Sequence, residues 1–133
     1  MIKRVQSLLY AKASPGERDK ENGHTALFTV SFVGCAKTTQ ILISANASIN
    51  ILNSAGKTPL IVTACSGVVN VAKLLLQYGA LPNIQEGGGD TTCIIASRMG
   101  YVNVVNILIQ SKASINIRNN EGQSALDLAR NLQ

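Results

Sequence analysis

Apolar residues fall into short clusters with helical spacing, and glycines separate the clusters. In the segment from Val69 to Tyr78, Val71, Leu74 and Leu75 occupy the i, i+3 and i+4 positions of one helix face. This spacing is typical of a helix that buries one stripe of apolar side chains. Because Gly79 follows directly and glycine commonly ends helices, the pattern predicts a helix over this segment.

A second short helix is predicted directly before it. Thr58 is suited to cap a helix start, Pro59 fits the first helical turn, and Gly67 ends the segment. The following stretch from Leu81 to Asp90 contains proline, asparagine and consecutive glycines, which are turn signals. One structural unit is therefore predicted to be helix, turn, helix and extended turn.

This unit recurs with a period of 33 residues. Gly23, Gly56, Gly89 and Gly122 are 33 residues apart. Four further columns share the period: Thr25, Thr58 and Thr91; Leu42, Leu75 and Leu108; Ala47, Ala80 and Ala113; and Asn50, Asn83 and Asn116. Isolated helices shorter than about 12 residues are marginal in water. Each unit must therefore bury its apolar side against its neighbours, which predicts a stacked solenoid.

The copy at 53–85 resembles the ankyrin repeat. The residues that carry the resemblance are Gly56-Lys-Thr-Pro-Leu60, Ala64, Gly67, Val71, Leu74-Leu75-Leu76, Gly79-Ala80 and Asn83. The resemblance implies an all-α ankyrin-repeat solenoid of helix-turn-helix units joined by β-hairpin-like loops. On the same register, the chain divides into an N-terminal half repeat at 1–19, ankyrin repeats at 20–52, 53–85 and 86–118, and a C-terminal partial, capping repeat at 119–133.

The N-terminal segment has two interpretations. Residues 1–14 are basic and contain serine but no acid, a composition that transit peptides share. However, Ile2, Val5, Leu8 and Leu9 fall on one helix face, and the two leucines lie one period before Ile41 and Leu42. We therefore favour the second helix of a half repeat over residues 2–11. Because the chain begins and ends inside a repeat, a segment of a longer array and a small protein with abbreviated caps are both open.

Two features of the family pattern are missing. The histidine that usually follows Thr-Pro-Leu is replaced by Phe28, Ile61, Ile94 and Asp127. The aspartate that usually opens the hairpin is replaced by Lys20, Asn53, Glu86 and Asn119. Since the usual histidine ties hairpins together by hydrogen bonds, this array is expected to depend more on apolar packing.

Composition narrows the function classes. The chain has 133 residues, of which 46% are hydrophobic and 14% charged, so it has enough apolar material for a core. No apolar run approaches the roughly 18 residues that span a membrane, and direct membrane insertion is not expected. The net charge of +5 comes from scattered bases rather than one basic face. We therefore expect no nucleic-acid binding, although the charge favours an acidic protein partner.

The residues that usually carry chemistry form no recognisable constellation. Cys35, Cys65 and Cys93 are widely spaced, so they predict free thiols in a reducing compartment, the cytoplasm or the nucleus, rather than disulfides. The single histidine, His24, is predicted to lie in a surface loop and cannot complete a usual zinc set. The run from Gly87 to Asp90 lacks the Gly-Lys-Ser/Thr of a P-loop. We predict no enzyme, no cofactor and no metal.

The ankyrin resemblance implies that hairpin tips and the exposed side of the first helices form a concave protein-binding face. The candidates for this face are Glu21, Asn22, His24, Phe32, Val33, Ser54, Ala55, Lys57, Cys65, Ser66, Asp90, Arg98, Met99, Asn120 and Gln123. Phe32, Arg98 and Met99 are the strongest, because aromatic, arginine and methionine side chains are enriched in interface cores. For Phe32 and Met99, packing against neighbouring helix ends is an equal alternative.

The asparagine column has two interpretations as well. Asn50, Asn83 and Asn116 each follow a leucine by eight residues, which is similar to the ankyrin sites that an asparaginyl hydroxylase modifies. The structural alternative is that an asparagine in a turn satisfies local backbone groups. We favour the structural role as the main one, with modification as a possible addition.

The sequence as a whole predicts a monomeric protein–protein interaction module without catalytic activity. Two alternatives to this prediction are kept. In the first, the chain is a small regulatory inhibitor of a kinase or transcription factor. In the second, it is a scaffold segment of a longer multidomain ankyrin protein.

Overall fold

The computed structural model describes residues 16–131, so the helix expected over residues 2–11 lies outside the described part. Residues 16–131 form helices and loops without a β-strand, which confirms the all-α architecture. The helices are α1 (Ala26–Val33), α2 (Ala36–Ser44), α3 (Pro59–Ser66), α4 (Val69–Gln77), α5 (Thr92–Met99), α6 (Val102–Gln110) and α7 (Ala125–Asn131). Among these described helices, none is long and apolar enough to cross a bilayer.

The helices stack in two layers. The first helices of successive units pack in the order α1, α3, α5 and α7, and the second helices pack in the order α2, α4 and α6. In the three full units, each first helix also packs against the second helix of its own unit. The core between the layers is aliphatic: the largest fully buried side chains include Leu27, Leu42, Leu60, Ile61, Leu75, Ile94 and Leu108.

The first helices begin and end through the same interactions in each full unit. The side-chain oxygens of Thr25, Thr58 and Thr91 each accept a hydrogen bond from the backbone N–H three residues later. A left-handed glycine ends each helix, as Gly67 does for α3 with φ of 73°. The second helix α4 ends at Gln77, with Tyr78 as its cap, one residue earlier than the sequence pattern predicts.

Apolar side chains fill the positions where the family pattern has histidine. Ile61 and Ile94 are fully buried, and Phe28 is 7% exposed. In the last unit, the Asp127 carboxylate accepts a hydrogen bond from the Ser124 backbone N–H at 3.1 Å, and the Ser124 hydroxyl accepts one from the Asp127 N–H at 3.2 Å. This reciprocal pair caps α7, so that position serves the helix start instead of packing in the core.

Replacing Thr92 with proline is expected to raise the free energy of unfolding by about 1–2 kcal/mol. Thr92 is 1% exposed, and its hydroxyl has no hydrogen-bond partner. It begins α5, as Pro59 begins α3, and the first helical position tolerates proline. The preceding Thr91 has φ −85° and ψ 167°, the extended conformation that a following proline requires.

Urea denaturation of Thr92→Pro beside Thr92→Val measures this effect. The valine variant replaces only the unsatisfied hydroxyl, with a methyl group of similar size, so we expect it to recover part of the gain. A proline variant less stable than the original protein would show that the start of α5 does not match that of α3.

Candidate protein-binding surface

All fifteen residues predicted for the concave face have solvent access. Nine are exposed: Glu21, Asn22, Phe32, Val33, Ser54, Ala55, Arg98, Met99 and Asn120. Six are partly buried: His24, Lys57, Cys65, Ser66, Asp90 and Gln123. They lie in the loops that precede the first helices or on those helices, and therefore belong to one layer of the stack.

Backbone hydrogen bonds join the tips of successive loops. The Ser54 N–H donates to the Asn22 carbonyl at 2.9 Å, and the Gly87 N–H donates to the Ala55 carbonyl at 3.1 Å. The last pair follows the same pattern, from the Asn120 N–H to the Gly88 carbonyl at 3.1 Å. These backbone groups are therefore already engaged in hydrogen bonds within the stack, and the side chains of the tips remain free of that constraint.

A side-chain acceptor holds the start of each loop. The Asn53 side chain accepts hydrogen bonds from the backbone N–H groups of Ala55 and Lys57, and Glu86 and Asn119 do the same in their own loops. Lysine has no acceptor to offer at position 20. There the neighbouring Asp19 accepts from the Asn22 and Gly23 N–H groups, at 2.7 and 3.2 Å. The loop function of the missing aspartate is therefore retained, one residue earlier.

A cleft of about 340 Å³ opens between α1 and α3. Its walls include the rings of Phe28 and Phe32, the Val62 side chain and the Cys65 thiol. His24 also lines the cleft: it is stacked on Phe28 with ring centroids 4.2 Å apart. The expectation of a simple surface-loop histidine was therefore incomplete, since this ring forms part of an apolar wall.

Sequence reasoning missed four of the cleft residues. Phe28, Thr29, Asn53 and Val62 line the cleft but were not among the predicted contacts. The available signal was the spacing of Phe28 and Phe32, which stand four residues apart and so share one helix face. That spacing would have placed two aromatic rings side by side.

A network of polar side chains holds Arg98. Its guanidinium donates to both carboxylate oxygens of Asp90, at 2.7 and 3.1 Å, and Asn119 donates to the same carboxylate at 2.9 Å. Partial burial raises the pKa of Asp90, but the hydrogen bonds from Arg98 and Asn119 outweigh burial and leave the pKa lowered. Arg98 is therefore held in place on the surface before any partner binds.

Acidification is expected to remove the stability that the ionised Asp90 contributes. The folded pKa of Asp90 is lowered, so the unfolded chain takes up the proton first as the pH falls. The contribution is complete above the unfolded pKa of about 3.9 and disappears as the pH falls through the folded value. When the pH is lowered from 7 to 2, the urea concentration at the midpoint of unfolding should therefore fall more for the original protein than for Asp90→Asn.

Asp19 and Asp127 also have lowered pKa values, so both proteins will lose stability in acid. The difference between the two pH profiles isolates Asp90. Parallel profiles would show that the ion pair with Arg98 contributes no stability.

Large apolar side chains are exposed in the same layer. Phe32 is 57% exposed, Val33 53% and Met99 50%. This exposure leaves about half of the Phe32 and Met99 side chains free for contact, while the remainder is covered by neighbouring residues. Both stand in the last turn of a first helix, just before its terminal glycine.

The charge of the molecule is divided between its two layers. All seven acidic residues lie in the loops before the first helices or in α7. The second helices α2, α4 and α6 contain Lys37 and Lys73 and no acid. Within residues 16–131, the acidic residues offset the basic residues of the same layer, so positive charge does not accumulate on the predicted binding face. Lys57 is the one charged residue that lines the cleft among the residues described.

Two members of the asparagine column join neighbouring repeats. They satisfy backbone groups, as the structural interpretation expected, but those groups belong to the next repeat and not to the local turn. The Asn50 amide donates to the Gly79 carbonyl at 3.2 Å, and its oxygen accepts from the Leu81 N–H at 2.9 Å. The Asn83 oxygen accepts from the Ser114 N–H at 2.9 Å. These bonds span about one repeat because the loops of adjacent units lie side by side.

The cysteines show no arrangement for catalysis or metal binding. All three are free thiols. Burial raises the pKa of Cys65 and of Cys93, whereas the hydrogen bond with the Thr38 hydroxyl lowers the pKa of Cys35. Within residues 16–131, no three His, Cys, Asp or Glu side chains cluster as a metal site would require.

Comparison with known families agrees with this geometry. A family model described as ankyrin repeats in three copies matches residues 1–86, and one described as ankyrin repeats in many copies matches residues 75–129. The chain belongs to the ankyrin-repeat family. A search of curated proteins finds no significant match. Ankyrin repeats are generally protein–protein interaction modules and are typically not enzymes.

Proposed function

We propose that this protein is a recognition module that binds a protein partner through the first-helix layer and the loop tips. The observation that carries the proposal is the exposure of Phe32 and Met99 in that layer. Large side chains of these types supply much of the binding energy in protein interfaces.

The hydrogen-bonded loop tips support the same proposal. Three backbone bonds between neighbouring tips hold the loops in register before binding. The Asp90 carboxylate likewise fixes Arg98. A surface that is already ordered loses less conformational entropy when a partner binds, so a small patch of exposed side chains can provide useful affinity.

We place this binding in a reducing compartment, the cytoplasm or the nucleus, because all three cysteines are free thiols. The partner itself is proposed to be a protein with acidic character near its contact with Lys57, since that residue is the charged one in the cleft.

Affinity capture from cell extract tests the recognition proposal. The bait is the full chain, compared with a Phe32→Ala, Met99→Ala double variant and a Val102→Ala, Ile109→Ala control. The control side chains are 65% and 50% exposed on the second helix α6. Arg98 is left unchanged because its replacement would leave the Asp90 carboxylate without its ion pair.

We expect a protein that the original chain and the control retain and the double variant loses. Circular dichroism first establishes that all three fold alike. A protein lost only by the control would place the binding surface on the second-helix layer and reject the proposal.

We also propose that Asn116 is the preferred target if an asparaginyl hydroxylase acts on this chain. The Asn50 and Asn83 side chains bond the next repeat, and modification requires those bonds to open first. The Asn116 side chain makes no such bond within the described residues. Co-expression with a hydroxylase followed by peptide mass analysis should find one added oxygen at Asn116 before the other two. No oxygen addition anywhere would reject modification.

A further inference from the structure

We infer that the cleft between α1 and α3 binds an extended peptide segment that carries a large apolar side chain close to an aspartate or glutamate. This inference deepens the proposed function and rests on it. It assigns the apolar side chain to the space between Phe28, Phe32 and Val62, and the carboxylate to Lys57.

The shape and lining of the cleft define the apolar part of the ligand. Its volume of about 340 Å³ is at the low end of the range of about 300–1,000 Å³ for small-molecule sites. The two phenylalanine rings, Val62 and the Cys65 thiol give it mostly apolar walls. One large aliphatic or aromatic side chain therefore suits it better than a polar group, which would lose its hydration there.

The electrostatics of the cleft define the charged part of the ligand. Lys57 is half-buried, lines the cleft, and makes no ion pair or side-chain hydrogen bond among the described residues. Both carboxylate oxygens of the nearby Asp90 already accept hydrogen bonds from the Arg98 guanidinium. A carboxylate from a partner would give the Lys57 ammonium an ionic partner, whereas a basic group would be repelled.

The hydrogen bonding of the backbone around the cleft explains why the peptide is recognised through side chains. The Ala55 carbonyl accepts from Gly87, and the Asn53 N–H donates to the Lys57 carbonyl. The Asn53 side chain holds the N–H groups of Ala55 and Lys57. With these groups occupied, the peptide cannot add as a strand to the loop edge, and specificity must come from the apolar cleft and the ammonium.

A displayed library of random dodecapeptides, selected against the full chain, tests the inference. We expect the enriched peptides to place a large apolar residue within two positions of Asp or Glu. A synthetic copy of the best peptide is then titrated by fluorescence polarisation. Lys57→Glu and Phe32→Ala should each weaken binding about tenfold or more. The matched controls Lys73→Glu and Ile109→Ala, both in the second-helix layer, should change it less than twofold.

A charge exchange completes the test. A peptide in which lysine replaces the acidic residue should bind Lys57→Glu better than it binds the original protein. The inference is overturned if no peptide is enriched, if the enriched peptides lack a carboxylate or are basic, or if Lys57→Glu binds as well as the original. In those cases, loss of a captured protein on Phe32→Ala, Met99→Ala substitution would still support the recognition proposal, so the two failures are distinguishable.

Discussion

Replacing Gly89 with alanine should lower the free energy of unfolding by about 3 kcal/mol. Gly89 has φ of +83°, where an L-residue is strained. An added Cβ would also stand 2.8 Å from the Asn120 backbone nitrogen and 3.1 Å from the Asn119 Cα. Neither atom moves easily, because Asn120 is bonded to Gly88 across the loop tips. Urea denaturation followed by circular dichroism measures the loss.

Gly122→Ala is the matched control. Gly122 occupies the same position one repeat later with φ of +78°, but a Cβ there would meet no atom within 4 Å. It should therefore cost only the strain of the left-handed conformation, about 1–2 kcal/mol. Equal losses for the two variants would show that close approach of the loops contributes nothing at Gly89.

Replacing Ile94 with alanine should lower the free energy of unfolding by about 3 kcal/mol. Ile94 is fully buried in α5. This helix is the first helix of its repeat and packs against both α3 and α7. It stands where the family pattern has a hydrogen-bonding histidine. Truncation leaves a cavity at a junction between repeats, so a stack that depends on nearest-neighbour contacts loses stability on both sides.

Ile109→Ala provides the comparison, because Ile109 is 50% exposed on α6. It should cost less than about 1 kcal/mol. A similarly small loss for Ile94→Ala, measured by the same urea titration, would contradict the view that apolar packing replaces the missing histidine.

The repeat itself was predictable from the sequence. The 33-residue period places equivalent residues at equivalent positions, so Thr58 and Gly67 define the ends of α3 in the sequence as in the structure. The same logic placed the fifteen candidate residues in one layer. Periodicity works here because each unit has the same helical geometry and the same neighbours.

Hydrogen bonds between neighbouring repeats were not predictable. Asn119 bonds to Asp90 of the preceding repeat, and Asn50 bonds to backbone groups of the next loop. These contacts depend on how far apart adjacent units stack and how their loops are offset, which a period alone does not specify. The cleft also depends on this offset, because its walls come from two repeats. Asp19 was missed for a local reason: Lys20 occupies the equivalent position in the repeat, so the 33-residue pattern does not indicate that its neighbour supplies the acceptor.

Site-specific photocrosslinking tests the central claim, recognition through the first-helix layer, most directly. A benzophenone amino acid is introduced at Phe32 or at Val102, which are 57% and 65% exposed in the two different layers. After irradiation in cells, we predict a covalent adduct with a partner protein from position 32 and none from position 102. An adduct from position 102 and none from position 32 would contradict the account.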